Sequence, residues 1–160
     1  MHRMPDRKPP RFAAPELQTF LTFLDYLRES LAGKLGGVGE QDARTSPVPS
    51  GTSLLSLVQH LTAAEVLWFQ IRFAGATSPE PGAPLDDELP VGEHLSQYFM
   101  AAARSNEIVA ASGSLDEHCA DPEFSEIPMR WVLVHMIEET ARHAGHADII
   151  REQIDGATGR

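Results

Sequence analysis

The sequence predicts an all-α protein built as a four-helix bundle. Four stretches of about twenty residues repeat apolar side chains at spacings of three and four. No stretch alternates apolar and polar residues as a half-buried strand does. The segments between the four are rich in proline and glycine. In a chain of 160 residues, such stripes find partners only in one another, which gives one domain with one core.

The chain opens on "MHRMPDRKPPRF", which is basic and lacks the apolar stretch of a secretory signal. Arg3, Arg7, Lys8 and Arg11 lie within it, and residues 1–14 are read as a disordered basic arm before a bundle domain over 15–160. The first helix runs from about Pro15 to Leu35. Leu17, Phe20, Leu21, Leu24, Leu27 and Leu31 form its stripe, Pro15 suits a first turn, and Gly36-Gly37 stop it. The second runs from about Ser53 to Phe73, capped by Thr52 or Ser53 after the turn-like "SPVPSGTS". The third runs from about Gly92 to Ser112, with Leu95, Tyr98, Phe99, Ala102 and Val109 inward. The fourth runs from about Met129 to Asp155 and ends at Gly156. Residues 74–91 hold four prolines, and residues 113–128 are similarly broken. Connections this long allow a crossover between the second and third helices, so sequential helices need not be antiparallel neighbours.

The formal net charge of −10 makes the body acidic, which opposes contact with a phosphate backbone and excludes a nucleic-acid partner. No apolar run approaches the roughly 20 residues that span a bilayer, so no membrane partner is expected. Cys119 is the single cysteine; no intrachain disulfide is possible, and a reducing cytoplasm is the expected compartment.

The fourth helix carries the chemistry. "HMIEETARHAGHADIIRE", residues 135–152, holds three histidines, three glutamates, two arginines and an aspartate. With Glu139 at zero, His143 falls near +40°, His146 near −20°, His135 near −40° and Arg142 near −60°, at about 100° per residue. Val132, Met136 and Ile150 point the same way, so these polar groups interrupt the stripe that should face the bundle. Burying a carboxylate among imidazoles is costly unless the groups pair or bind a metal. The second helix offers His60, which lies on its wheel among Leu57, Ala64, Leu67 and Ile71. Alone, such a histidine is ordinarily a satisfied core residue. Two helices that both place histidines in their core stripes favour a metal. Residues four apart stand one above the other on a helix, so His60, Glu139 and His143 make a two-histidine, one-carboxylate site with a position left for water or substrate. The order of "HMIEE" excludes the zinc-protease pattern.

"PSGTSLLSLVQHLTAAEVLWF" and "RWVLVHMIEETARHAGHADIIREQIDG" resemble signatures of the DinB/YfiT-like superfamily of metalloenzymes, in its actinobacterial branch, over about Pro15 to Gly159. The resemblance implies a four-helix bundle in up-down-down-up order, often dimeric, with one divalent metal on a histidine-rich triad. That triad falls on His60, Glu139 and His143. Many relatives have histidine where this chain has Glu139; the mycothiol-dependent maleylpyruvate isomerase, related through its N-terminal domain, has Glu and His at this spacing. That isomerase has a second domain, which is not expected after Arg160, so its activity is not expected to carry over. Some members use thiols such as mycothiol, which makes a thiol-dependent S-transferase acting on a small electrophile the leading expectation. A non-catalytic metal- or ligand-binding bundle and a metal-dependent hydrolase are the alternatives. The metal expected is zinc or nickel, though the ligand set also suits iron or manganese.

His146 is expected to handle protons or contact substrate, about 10.5 Å along the axis from Glu139. His135 is expected deeper, as a hydrogen-bonded core group. Arg142 is expected to pair with Glu138 or Glu65, or else to hold a substrate carboxylate. His94 and His118 are read as surface residues and Cys119 as unreactive. Trp68, Phe69, Trp131 and Tyr98 are read as core, with Trp68 and Tyr98 also candidates for lining a pocket. The back of the fourth helix carries Leu133, Val134, Ile137, Ala141 and Ala144. A helix apolar on two sides is buried on two sides, and this leads to the expectation of a homodimer.

Overall fold

The computed structural model of the chain describes residues 8–81 and 84–158. Half of the expected basic arm, residues 1–7, lies outside the described residues; residues 8–15 carry no regular structure. The architecture is all-α, with no strand among the described residues.

Helix α1, Glu16–Gly33, starts directly after Pro15. A short helix that hydrophobic periodicity does not announce, α2, spans Glu40–Arg44. It ties the long connection down. The Glu40 carboxylate accepts from the Val91 amide at 3.1 Å, answering the first turn of α4, while Arg44 donates to the carbonyls of Asp87 and Leu89. Helix α3, Leu54–Glu65, is capped by Ser53, whose hydroxyl takes the Ser56 amide while the Ser56 hydroxyl takes the Ser53 amide. It continues as a π-helical segment, Val66–Phe73, closed by Ala74 donating to Phe69 five residues back at 3.0 Å. Gly75, at φ 69°, leaves this segment where a side chain would meet Ala120. Helix α4 spans Val91–Ala111, and α5 spans Met129–Asp155, ended by Gly156 in the left-handed conformation at φ 74°.

Contacts at both ends set the helix directions. Arg130 pairs with Glu16, and Arg151 donates to the carbonyls of Lys34 and Gly36, so α1 and α5 run parallel. His60 meets Glu139 while Trp68 meets His135, so α3 opposes α5. Leu54, Val91 and Ile150 share one apolar cluster, and Phe73, Val109 and Met129 share the other, so α4 follows the direction of α3.

A buried polar layer lies within the bundle. Arg28, 2% exposed, grips the fully buried Glu65 with Nε to Oε1 at 2.7 Å and Nη2 to Oε2 at 2.6 Å. Its Nη1 reaches Asp25 and Asn106 at 2.7 and 2.8 Å, so α1, α3 and α4 are joined at one point. Tyr98 lies within the field of this layer; burial first, then the Glu65 charge, push its phenol well above the usual range.

Several expected positions differ. Phe99 is 46% exposed, and α4 turns His94 inward instead, buried one turn from Tyr98. His118 is exposed as expected. Leu67 and Ile71 are 37% and 36% exposed, because the wider π turn swings Phe69, Gln70 and Phe73 into the core in their place. Trp131 is also exposed on one side. On the back of α5, Leu133 and Ala144 are buried within the chain, whereas Val134 and Ala141 are exposed. By length and composition, Leu54–Phe73 could cross a membrane, at 20 residues and mean hydropathy 1.2; 61% of that window is buried inside the bundle, as in a core helix.

Arg28→Met alone strands the Glu65 charge in the core and is expected to cost about 3–5 kcal/mol in urea unfolding, whereas Arg28→Met with Glu65→Leu should recover most of that loss.

Candidate metal centre

Helices α3 and α5 cross with His60 facing Glu139 and His143. His60 Nε2 lies 2.7 Å and His143 Nε2 3.2 Å from the same oxygen, Glu139 Oε1. The two imidazole rings meet edge to face, with centroids 4.6 Å apart. One ligand atom from each residue lies within 4.8 Å of the other two. Donors around a tetrahedral zinc stand roughly 3.4 Å apart. The three donors therefore sit close enough to hold a divalent cation after side-chain adjustments on the order of an ångström.

The site lies at the surface between α3 and α5, whereas the wheel of α5 turns these groups toward the interior of the bundle. His60 is 51% exposed, Glu139 20% and His143 16%. The core stripe of α3 runs through Leu57, Leu61, Ala64 and Glu65, all buried, and leaves His60 at its edge beside α5. A cation or substrate can therefore enter from solvent.

The groove sets the charge states. Burial alone would raise Glu139, but the hydrogen bond from His60 and the charge of His143 hold its carboxyl below the usual range. Burial lowers His143, and the Glu139 charge only partly opposes that. Near neutral pH the site thus presents a carboxylate and a neutral imidazole, the forms a metal binds.

His146 is exposed at the rim, with its Nδ1 3.2 Å from His143 Nδ1. That contact holds the ring of His143 and leaves its Nε2 toward Glu139. Arg142 pairs with Glu138, as expected, since Glu65 is taken by Arg28. His135 is not a hydrogen-bonded core group. It is half-buried and stacked on Trp131 at 5.0 Å, with the edge of Trp68 at 4.6 Å. Arg72 caps Trp68 from 4.1 Å. Reading each residue separately missed this aromatic cluster. Its signal was the four-residue step Trp131, His135, Glu139, which carries the rings along the same groove. Tyr98 is fully buried, away from the site, while burial of Cys119 pushes its thiol up, in keeping with an inert residue.

Residues 19–156 match the family described as mycothiol-S-transferase. No curated protein matches the sequence. Among solved structures, the fold is similar to that of a conserved protein from Enterococcus faecalis, at 17% identity and a TM-score of 0.69, covering 90% of this chain and 99% of that one.

Two outcomes are expected at this site. Purified protein should carry about one divalent ion per chain by elemental analysis. His60→Ala, Glu139→Gln and His143→Ala should each lose it, while His146→Ala keeps it at about 10- to 100-fold lower affinity. The folded-state pKa values of Glu139 and His143 both lie below their ordinary 4.5 and 6.5, so the stability each contributes is present above those values and lost as pH falls through the lower, folded ones. The melting temperature of metal-free protein should therefore fall on acidification below about pH 6.5, and less steeply in His143→Ala.

Proposed function

The chain belongs to the mycothiol-S-transferase family, and on that premise we propose that it joins the thiol sulfur of mycothiol to a carbon of a small electrophile. One divalent metal, zinc or nickel, is held in this proposal by His60, Glu139 and His143. The S–H bond breaks, an S–C bond forms, and the leaving group departs with its bonding pair. The observation that carries the reading is the meeting of two imidazole nitrogens and one carboxylate oxygen, from two helices, in a groove open to solvent.

The metal, when bound, supplies a Lewis acid that lowers the pKa of a thiol. The protein's own groups do the rest. Glu139 supplies the negative charge that draws a cation into the groove, and its Oε1 faces the Nε2 of both imidazoles. His143 offers a neutral ring because burial disfavours its protonated form. His146 steadies that ring through its Nδ1. In this reading the thiol proton leaves to solvent at the rim of the site, where His146 lies exposed.

Thiol consumption should be measured with mycothiol against a panel of electrophiles. Metal-loaded wild type should turn over, chelation should abolish turnover, and His60→Ala should lose more than about 100-fold in kcat/KM. His146→Ala should lose about 100-fold in kcat with metal retained. Undiminished turnover in His60→Ala would sink the proposal. Ester or amide cleavage without any thiol would replace it by a hydrolase.

A further inference from the structure

The outer face of α3 borders a cleft of about 820 Å³, within the size range of small-molecule sites. Ala63, Val66, Leu67 and Ile71 form one wall, and Pro79 and Leu85 of the connection form the other. Asp87 is the one ionisable side chain among the lining residues, and it is held by Gln59 at 2.6 Å.

Specific polar contacts hold this roof in place. At one end the buried Gln70 donates to the Glu80 carbonyl at 2.6 Å and accepts the Glu80 amide at 2.8 Å. At the other end Gln59 holds Asp87, and Arg44 binds the carbonyls of Asp87 and Leu89. These anchors hold Pro79, Pro84 and Leu85 across from the apolar wall of the helix. Leaving apolar walls to water is unfavourable in proportion to their area, so a built roof over them favours an apolar occupant. The cleft also adjoins the metal groove. Gln59 and Ala63, which line the cleft, stand one and three residues from His60 on α3.

We infer that this cleft binds the uncharged alkyl or aryl part of the substrate, with its reactive end toward His60. Naming that substrate an electrophile rests on the thiol-transfer reading; the cleft itself does not. The acidic body and Asp87 disfavour an anion there.

The full chain, metal-loaded, should be titrated with the neutral dye Nile red and then with n-alkanols of four to eight carbons as competitors. Alkanol affinity should rise about fourfold per methylene. Ala63→Trp, at an exposed wall position, and Ile71→Gln should each weaken Nile red by at least about tenfold with metal content unchanged, and His60→Ala should keep Nile red binding. In mycothiol transfer to n-alkyl bromides, kcat/KM should climb with chain length in wild type and stay flat in Ala63→Trp. If both variants bind Nile red as wild type does, or affinity ignores chain length, the cleft inference is overturned. If the dye and alkanols behave as expected but no thiol is consumed, the cleft stands and the transferase reading falls.

Discussion

A guanidinium with 2% of its surface exposed is tolerable only when its charge and its N–H groups are answered, and Arg28 is answered from three helices. Two parallel hydrogen bonds to Glu65 fix distance and angle together. That fork sets the rotation of α3 about its own axis. With Glu65 held inward toward α1, the same helix must turn Ala64 and His60 toward α5 and Ala63 outward. A small rotation would carry His60 away from Glu139. The buried pair thus acts less as a source of stability than as a register mark, and the meeting of His60 with Glu139 depends on it.

Immediately after Glu65 the helix widens into its π segment. The longer turn feeds Phe69, Gln70 and Phe73 inward and releases Leu67 and Ile71 outward. An apolar run that would continue a core stripe at 3.6 residues per turn is divided here between core and cleft. Gln70, brought inside, is then free to bind the backbone of the connection. One local change in helical pitch therefore serves the packing of the core and the shape of the outer cleft together.

Most of the fold and the triad were legible in the residues, and the misses have physical causes. The four long helices show in three-and-four spacing, which reflects burial directly. His60, Glu139 and His143 show because polar groups beside an apolar stripe need partners, and i, i+4 spacing names which ones can meet. Helix α2 was not legible, since "EQDAR" has too few turns for periodicity to register and its role lies in capping α4. The π segment was not legible because a wheel assumes one pitch throughout. His94 was misjudged because nearness to a helix end says nothing about which face a residue occupies, and it shares its face with Tyr98. Arg28 was legible in principle, as a charge between Leu24 and Leu31 on their own stripe.

The open position of the triad resolves the puzzle of a titratable cluster on a core helix. A fully buried carboxylate between imidazoles would bear a large desolvation penalty, and a cation would have no route in. At 20% exposure Glu139 keeps part of its hydration, yet it is covered enough for His60 and His143 to hold its charge. The apolar residues beneath, Val132 and Met136, are fully buried, so α5 still delivers its share of the core. The helix is divided along its length: one edge seals the bundle, and the adjoining edge holds donors half in water. That division suits the proposed reaction, in which a soft thiol meets an apolar electrophile. Such a reaction needs solvent at the triad for exchange of ligand and product, and a dry wall nearby to hold what water would not.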